Sequence, residues 1–201
     1  SVRAFIAIEL PDTVRAALSR LQNDLKGSSS APVKWVEPGA IHLTLKFLGN
    51  ISASAISDIA KSLSEGVKPV APFRLGLGQT GAFPNPRAPR VVWVGLEGDT
   101  TALSTLQQSV ELAVIPLGFQ REQRRFSAHL TLGRVRDQAT PADRRTLGEA
   151  VASPVIERSV PFDINSVSLM RSTLTREGAI YNRLHEAALG GEQRERVVKD
   201  T

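Results

Sequence analysis

Hydrophobic and polar positions change period several times along the chain, and each change marks an element. RAFIAIEL (3–10) has the compact apolar run of a strand, after which Val14, Ala17, Leu18, Leu21 and Leu25 recur at helical spacing behind Asp12, the expected N-cap. GSSSAP (27–32) breaks that helix and leads into extended VKWV (33–36) and a strand containing IHLTLKF. Ile56, Ile59, Ala60 and Leu63 share one face of a second helix, with Ser52 or Ser54 as its cap. PFRLGLG (72–78) is extended, GAFPNPRAPR (81–90) reads as a proline-bearing loop, and VVWVGLEG (91–98) as a strand. Leu103, Leu106, Val110, Ala113 and Val114 mark a third helix behind Asp99, and a strand containing HLTLG follows. TPAD (140–143) is a helix start, with Thr140 as cap, proline at the first helical position and an acid at the third. VPFDINSVSLMRS (160–172) and AIYNRLHEAAL (179–189) close the pattern as extended segments.

Helices and strands mix evenly, with several strands in direct succession. That order predicts an α+β fold with antiparallel sheets rather than a strictly alternating parallel one. The succession of strand, helix and strands recurs once around each copy of a repeated word, which predicts a duplicated, two-lobed architecture. Residues 1–189 form the expected single domain, and 190–201 have little to pack and read as a loose tail.

Composition narrows the class. With 201 residues, 41% hydrophobic and 22% charged, the chain suits one globular domain. No segment approaches the roughly 20 apolar residues of a membrane span, and SVRAFIAIEL lacks a long apolar signal core, so a cytoplasmic location is expected. With no cysteine, disulfide and thiolate chemistry are excluded. The net charge of +5 favours an acidic partner such as nucleic acid, or is simply a solvated basic surface. The cationic stretches REQRR (121–125), RVRD (134–137) and DRR (143–145) are scattered. No long amphipathic or heptad segment asks for a second copy, so a monomer is expected.

Two of the three histidines open the same word, His-Leu-Thr-Leu, at His42 and His129. Ordinary composition would repeat the three residues after a given histidine with odds on the order of one in a thousand. In a strand, alternation puts His42, Thr44 and Lys46 on one face and Ile41, Leu43, Leu45 and Phe47 on the other. The second word likewise puts Ser127, His129 and Thr131 opposite Phe126, Ala128, Leu130 and Leu132. Two imidazoles on one cleft suit a reaction that needs a base and an acid in one turnover, because one ring is neutral while the other is charged near neutral pH. Phosphodiester cleavage has that requirement, and Thr44 and Thr131 would donate to the charged oxygens on phosphorus without a metal. Zinc usually takes three or four ligands, and His185 lies outside the repeated pattern as a structural residue, so no metal or other cofactor is expected. Gly-x-Gly-x-x-Gly, the Gly-x-x-x-x-Gly-Lys-Ser/Thr phosphate loop and the Gly-x-Ser-x-Gly elbow do not occur.

At these residues the sequence resembles the 2H phosphoesterase superfamily, and within it the bacterial and archaeal RNA 2′,3′-cyclic phosphodiesterases, also called 2′-5′ RNA ligases. The resemblance covers about residues 2–189: RAFIAIELP, VKWVEPGAIHLTLKFLGNI, FPNPRAPRVVWVGL, HLTLGRV and LMRSTLTREGAIYNRL. It implies two lobes around a central cleft, each giving one His-x-Thr strand, and hydrolysis of an RNA 2′,3′-cyclic phosphate to a 2′-phosphate. On that analogy His42 is the proton donor and His129 the proton acceptor, and reversal with an RNA 5′-hydroxyl makes a 2′-5′ linkage. Arg134 matches the arginine that follows the second motif and is expected to hold phosphate or the terminal nucleotide, provided a bulge at Gly133 turns it from the Leu130 face. Lys46 is a candidate for the RNA backbone, and Trp35, Phe83 and Tyr181 for stacking on bases or, alternatively, for packing. The family commonly has proline where this chain has Ala128. A noncatalytic RNA- or nucleotide-binding module, and a related enzyme acting on small cyclic nucleotides or 2′-5′ oligonucleotides, remain alternatives.

Overall fold

Along β1 (Val2–Glu9) the two faces bury into different places: Ala4, Ile6 and Ile8 join the main core, whereas Phe5 and Ala7 join a small cluster with Met170. A strand covered on both faces belongs in the middle of a sheet, and β1 lies between β3 (His42–Ile51) and β8 (Ser166–Thr175). The molecule, a computed structural model, is described over residues 1–153 and 161–191.

β9 (Gly178–Ala188) completes this first sheet, in the order β3-β1-β8-β9. The second sheet runs β2-β6-β5-β4-β7, from β2 (Val33–Trp35), β6 (His129–Val135), β5 (Val91–Gly98), β4 (Phe73–Phe83) and β7 (Phe162–Ile164). All their pairings are antiparallel. Helices α2 (Ile56–Val67) and α3 (Thr100–Val114) pack on each other and on β9 and β3. Helix α4 (Pro141–Ala152) packs on β4 and on α1 (Asp12–Ser28), whose Gln22 donates to the Val36 and Leu132 carbonyls. One continuous apolar core joins both sheets and all four helices, and no helix among the described residues is long and apolar enough to cross a membrane. This is the α+β, two-sheet arrangement the strand order predicts.

Local signals set several boundaries. The expected cap at Thr140 is a complete capping box: its hydroxyl accepts from the Asp143 N–H at 3.1 Å and Asp143 accepts from the Thr140 N–H at 2.9 Å. Asp12 is instead the first residue of α1 behind Pro11. Ser52 and Ser54 give α2 no side-chain cap, because a turn of 3-10 helix (Ala53–Ala55) intervenes. β4 also runs further than expected, through Gly81 to Phe83, so only residues 84–90 form the proline loop. The segment expected at 160–172 divides at Asn165 between β7 in one sheet and β8 in the other, and its first residue is outside the described residues. Of the expected tail, Gly190 and Gly191 are held by the Val70 and Lys68 carbonyls at 3.1 and 2.9 Å, and 192–201 lie outside the described residues.

Candidate active site

The two repeated words open two strands, β3 at the edge of one sheet and β6 in the other. Cα atoms of β3 and β6 approach within 8 Å, so the motif strands are neighbours although they belong to different sheets. Each histidine is oriented in the same way. His42 Nδ1 bonds the Ala40 carbonyl at 3.0 Å, and His129 Nδ1 bonds the Ser127 carbonyl at 2.9 Å. A carbonyl only accepts, so Nδ1 carries the proton and Nε2 is the atom left to exchange one. Thr44 and Thr131 are half-buried, and neither hydroxyl has a protein partner among the described residues.

Aromatic rings bracket both imidazoles. Phe5 and Tyr181 meet His42 edge-on at centroid distances of 6.0 and 5.2 Å. Phe83 meets His129 edge-on at 5.0 Å, and Trp93 lies 6.2 Å away. Gly81 makes room for this second group: a Cβ there would come within 2.2 Å of the Trp93 ring. The rings of Phe83 and Tyr181 therefore stand beside the motif histidines, together with Phe5 and Trp93.

The charges are less symmetric. Glu9 is the cross-strand partner of His42. Its Oε2 accepts from Arg183 Nε and Ser168 Oγ, both at 2.7 Å. Burial alone would push the Glu9 carboxyl up, but these bonds and the Arg183 charge hold it below the usual range. Burial lowers the pKa of His42 below its ordinary value of 6.5 and the Arg15 charge adds to this, while the bond to Ala40 and the Glu9 charge oppose it. Arg15 Nε and Trp93 Nε1 are buried without a hydrogen-bond partner among the described residues. One belongs to a cation acting on His42, the other to a ring beside His129.

Two bulges in β3 overturn the expectation for Lys46. Ala7 pairs with Thr44 but Ile6 with Lys46, and Phe5 pairs with Phe47 but Ala4 with Gly49, so Leu45 and Leu48 are the extra residues. The first bulge swaps the faces that alternation assigns. Lys46 points into the protein at 7% exposure, where its Nζ meets Glu111 Oε2 at 3.1 Å and the Gln120 carbonyl at 2.6 Å. Lys46 is thus committed internally and is not available to RNA. Phe47, 75% exposed, takes the His42 face instead, 6.3 Å from Phe5.

Trp35 is also corrected. It pairs with Gly133 and packs against the main core with Lys26 5.8 Å over its ring, away from the histidine face. Its neighbour Lys34 pairs with Arg134. The bulge expected near Gly133 is present, for Trp93 pairs with Thr131 but Val92 with Gly133. It puts Arg134 opposite Val91, on the Trp93 and Thr131 face, and the arginine is exposed there. A Cβ at Gly133 would lie 2.7 Å from Val33 and 3.0 Å from Trp35, so glycine lets β2 close over the bulge. His185 sits on the opposite face of β9, its Nε2 2.7 Å from Ser64 Oγ of α2. Among the described residues no group of three or more His, Cys, Asp or Glu side chains is placed to hold a metal ion.

Each of the two sheets thus gives one equivalently oriented histidine and one threonine hydroxyl without a protein partner among the described residues. The family described as LigT-like phosphoesterase matches twice, over residues 8–93 and 94–181, one match for each motif, and the chain belongs to that family. It is 38% identical over 180 residues to the RNA 2′,3′-cyclic phosphodiesterase of Methanothermobacter thermautotrophicus, covering 90% of this chain and 95% of that one. Its fold is similar to a crystal structure of a Thermus thermophilus protein, with TM-score 0.74, 28% identity, and 94% and 99% of the two chains covered. Escherichia coli LigT complexed with 3′-AMP matches with TM-score 0.73, 26% identity, and 94% and 98% covered.

Proposed function

We propose that this protein hydrolyses RNA 2′,3′-cyclic phosphate ends to 2′-phosphomonoesters without a metal, using His129 as general base and His42 as general acid. The observation that carries the reading is the matched pair of Nδ1–carbonyl bonds, which leaves an Nε2 on each of two adjacent strands from different sheets.

In this mechanism His129 Nε2 takes a proton from water as the water oxygen bonds to phosphorus. The phosphorus–O3′ bond breaks in line, and His42 Nε2 delivers a proton to O3′. Thr44 and Thr131 donate to the nonbridging oxygens, whose charge is stabilised as the transition state forms. Arg134 holds phosphate or the terminal nucleotide, and Phe83, Tyr181 and Phe47 offer apolar surface to the bases. An RNA 5′-hydroxyl in place of water, losing its proton to His129 while O3′ leaves with a proton from His42, makes the 2′-5′ linkage. The depressed pKa of His42 favours its neutral form in the free protein, and an anionic phosphodiester against the ring offsets that. The same depression favours a second assignment, in which His42 is the base and His129 the acid.

The relative's activity supports the substrate class, and the reading carries with it a cytoplasmic monomer whose residues 1–189 act as one two-lobed unit. The test is an oligoribonucleotide ending in a 2′,3′-cyclic phosphate, incubated with excess EDTA. A 2′-phosphate product is expected. Turnover abolished by the chelator, or a 3′-phosphate product, contradicts the reading.

A further inference from the structure

The buried Lys46 has a consequence for the segment that leads into the second motif. Lys46 and Glu111 are 7% and 5% exposed and form an ion pair across the β3–α3 contact. The pair is built into a larger network. Gln107 Nε2 reaches Glu111 Oε1 at 3.4 Å and the carbonyl of the bulged Leu45 at 3.3 Å. Lys46 Nζ holds the Gln120 carbonyl, and Glu111 Oε2 accepts from the Glu122 N–H at 3.4 Å. The chain at 120–122 is therefore pinned to a residue four positions past His42. Seven residues beyond Glu122 it becomes His129. The segment runs from beside β3 to the first residue of β6.

Its side chains are cationic and unspent. Arg121, Arg124 and Arg125 are exposed. None has a carboxylate within ion-pair distance among the described residues, in contrast to Arg15, Arg74 and Arg183. The one acid among them, Glu122, turns back to accept from the Arg124 N–H at 3.3 Å. Three guanidinium groups without a carboxylate partner among the described residues thus lie on or just beyond a stretch of backbone, 120–122, that a buried ion pair anchors.

Resting on the cyclic phosphodiesterase reading, we propose that Arg121, Arg124 and Arg125 are the docking surface for the RNA strand behind the reacting end, contacting the phosphates 5′ to the cyclic one. A single-stranded RNA backbone is the occupant because the proposed substrate carries a further phosphate at each nucleotide 5′ to its reacting end. A cyclic mononucleotide has no such phosphate, so the surface should distinguish long substrates from short ones.

The test compares a cyclic-phosphate oligoribonucleotide with a 2′,3′-cyclic mononucleotide, in the wild type and in the triple variant Arg121→Gln, Arg124→Gln, Arg125→Gln, as a function of salt. Neutralising three phosphate contacts should lower the slope of log(kcat/KM) against log[salt] for the oligonucleotide by about 2. The loss should appear in KM, with mononucleotide turnover unchanged. The corresponding triple lysine variant should restore the slope, since it keeps the charges. An unchanged oligonucleotide slope, or equal losses on both substrates, overturns the docking surface alone. A wild type that turns over neither substrate overturns the catalytic reading and the docking surface with it.

Discussion

Glu9 and His42 are directly paired across the β1–β3 ladder, and the carboxylate is itself held by Arg183 and Ser168. Glu9 and the cation Arg15 act on His42 in opposite directions. Glu9→Gln should move the His42 limb of the kcat/KM–pH profile to lower pH, and Arg15→Gln should move it to higher pH. Shifts of the same sign would show that these charges do not govern the ring. Both profiles are measured on the cyclic mononucleotide, so that strand docking does not enter.

Alanine at His42 or His129 should each cost about 10²–10⁴ in kcat, the usual worth of a positioned acid or base. Alanine at Thr44 or Thr131 should each cost up to about 10²–10³, as for one donor to a developing charge. Steady-state kinetics with EDTA present checks both. Full activity in either histidine variant would leave that ring without a chemical role.

The acid and base are separated by changing the leaving group. A cyclic substrate with sulfur at the 3′ position needs little protonation as the bond breaks. It should rescue His42→Ala and leave His129→Ala inactive. Rescue of His129→Ala instead would select the exchanged assignment.

Lys46→Met leaves the Glu111 charge buried and should destabilise the protein by about 3–5 kcal/mol. Lys46→Met combined with Glu111→Met removes both charges and should recover most of that loss. Denaturant unfolding measures both. A single variant as stable as the wild type would mean that the ion pair is not buried in solution.

Acid stability follows from the same groups. The folded state holds the pKa of His42 below 6.5, so it binds fewer protons than the unfolded chain, and stability falls as pH drops from 6.5 toward the folded value. Glu9 adds a second fall below 4.5, because its folded pKa is also lowered. His42→Asn should flatten the first fall and leave the second. An unchanged profile would show that folding does not perturb the ring.

The placement of each His-Thr pair was legible because it is local. A strand of period two places His and Thr together, and a capping box needs only four consecutive residues, so the His42–Thr44 and His129–Thr131 pairs and the start of α4 are read correctly from short words. Lys46 and Trp35 were not, because strand faces depend on register. The bulge at Leu45 exchanges Lys46 for Phe47, and β2 presents Lys34, not Trp35, beside Arg134. Arg134 depended on a bulge too, and Gly133 was its visible trace. Phe5 and Glu9 share a face by alternation in β1, but their place beside His42 exists only once β1 pairs with β3. Arg183 comes from β9 and Arg15 from a helix, and no spacing in the sequence connects either to the first motif.

In the proposed mechanism two imidazoles from different sheets serve a single phosphorus. The most direct measurement is a crystal structure with a nucleoside 2′-phosphate bound. Nε2 of His42 and Nε2 of His129 should each lie within about 3.2 Å of oxygen atoms on the same phosphate. A phosphate that reaches one ring only, or that binds away from both, would contradict it.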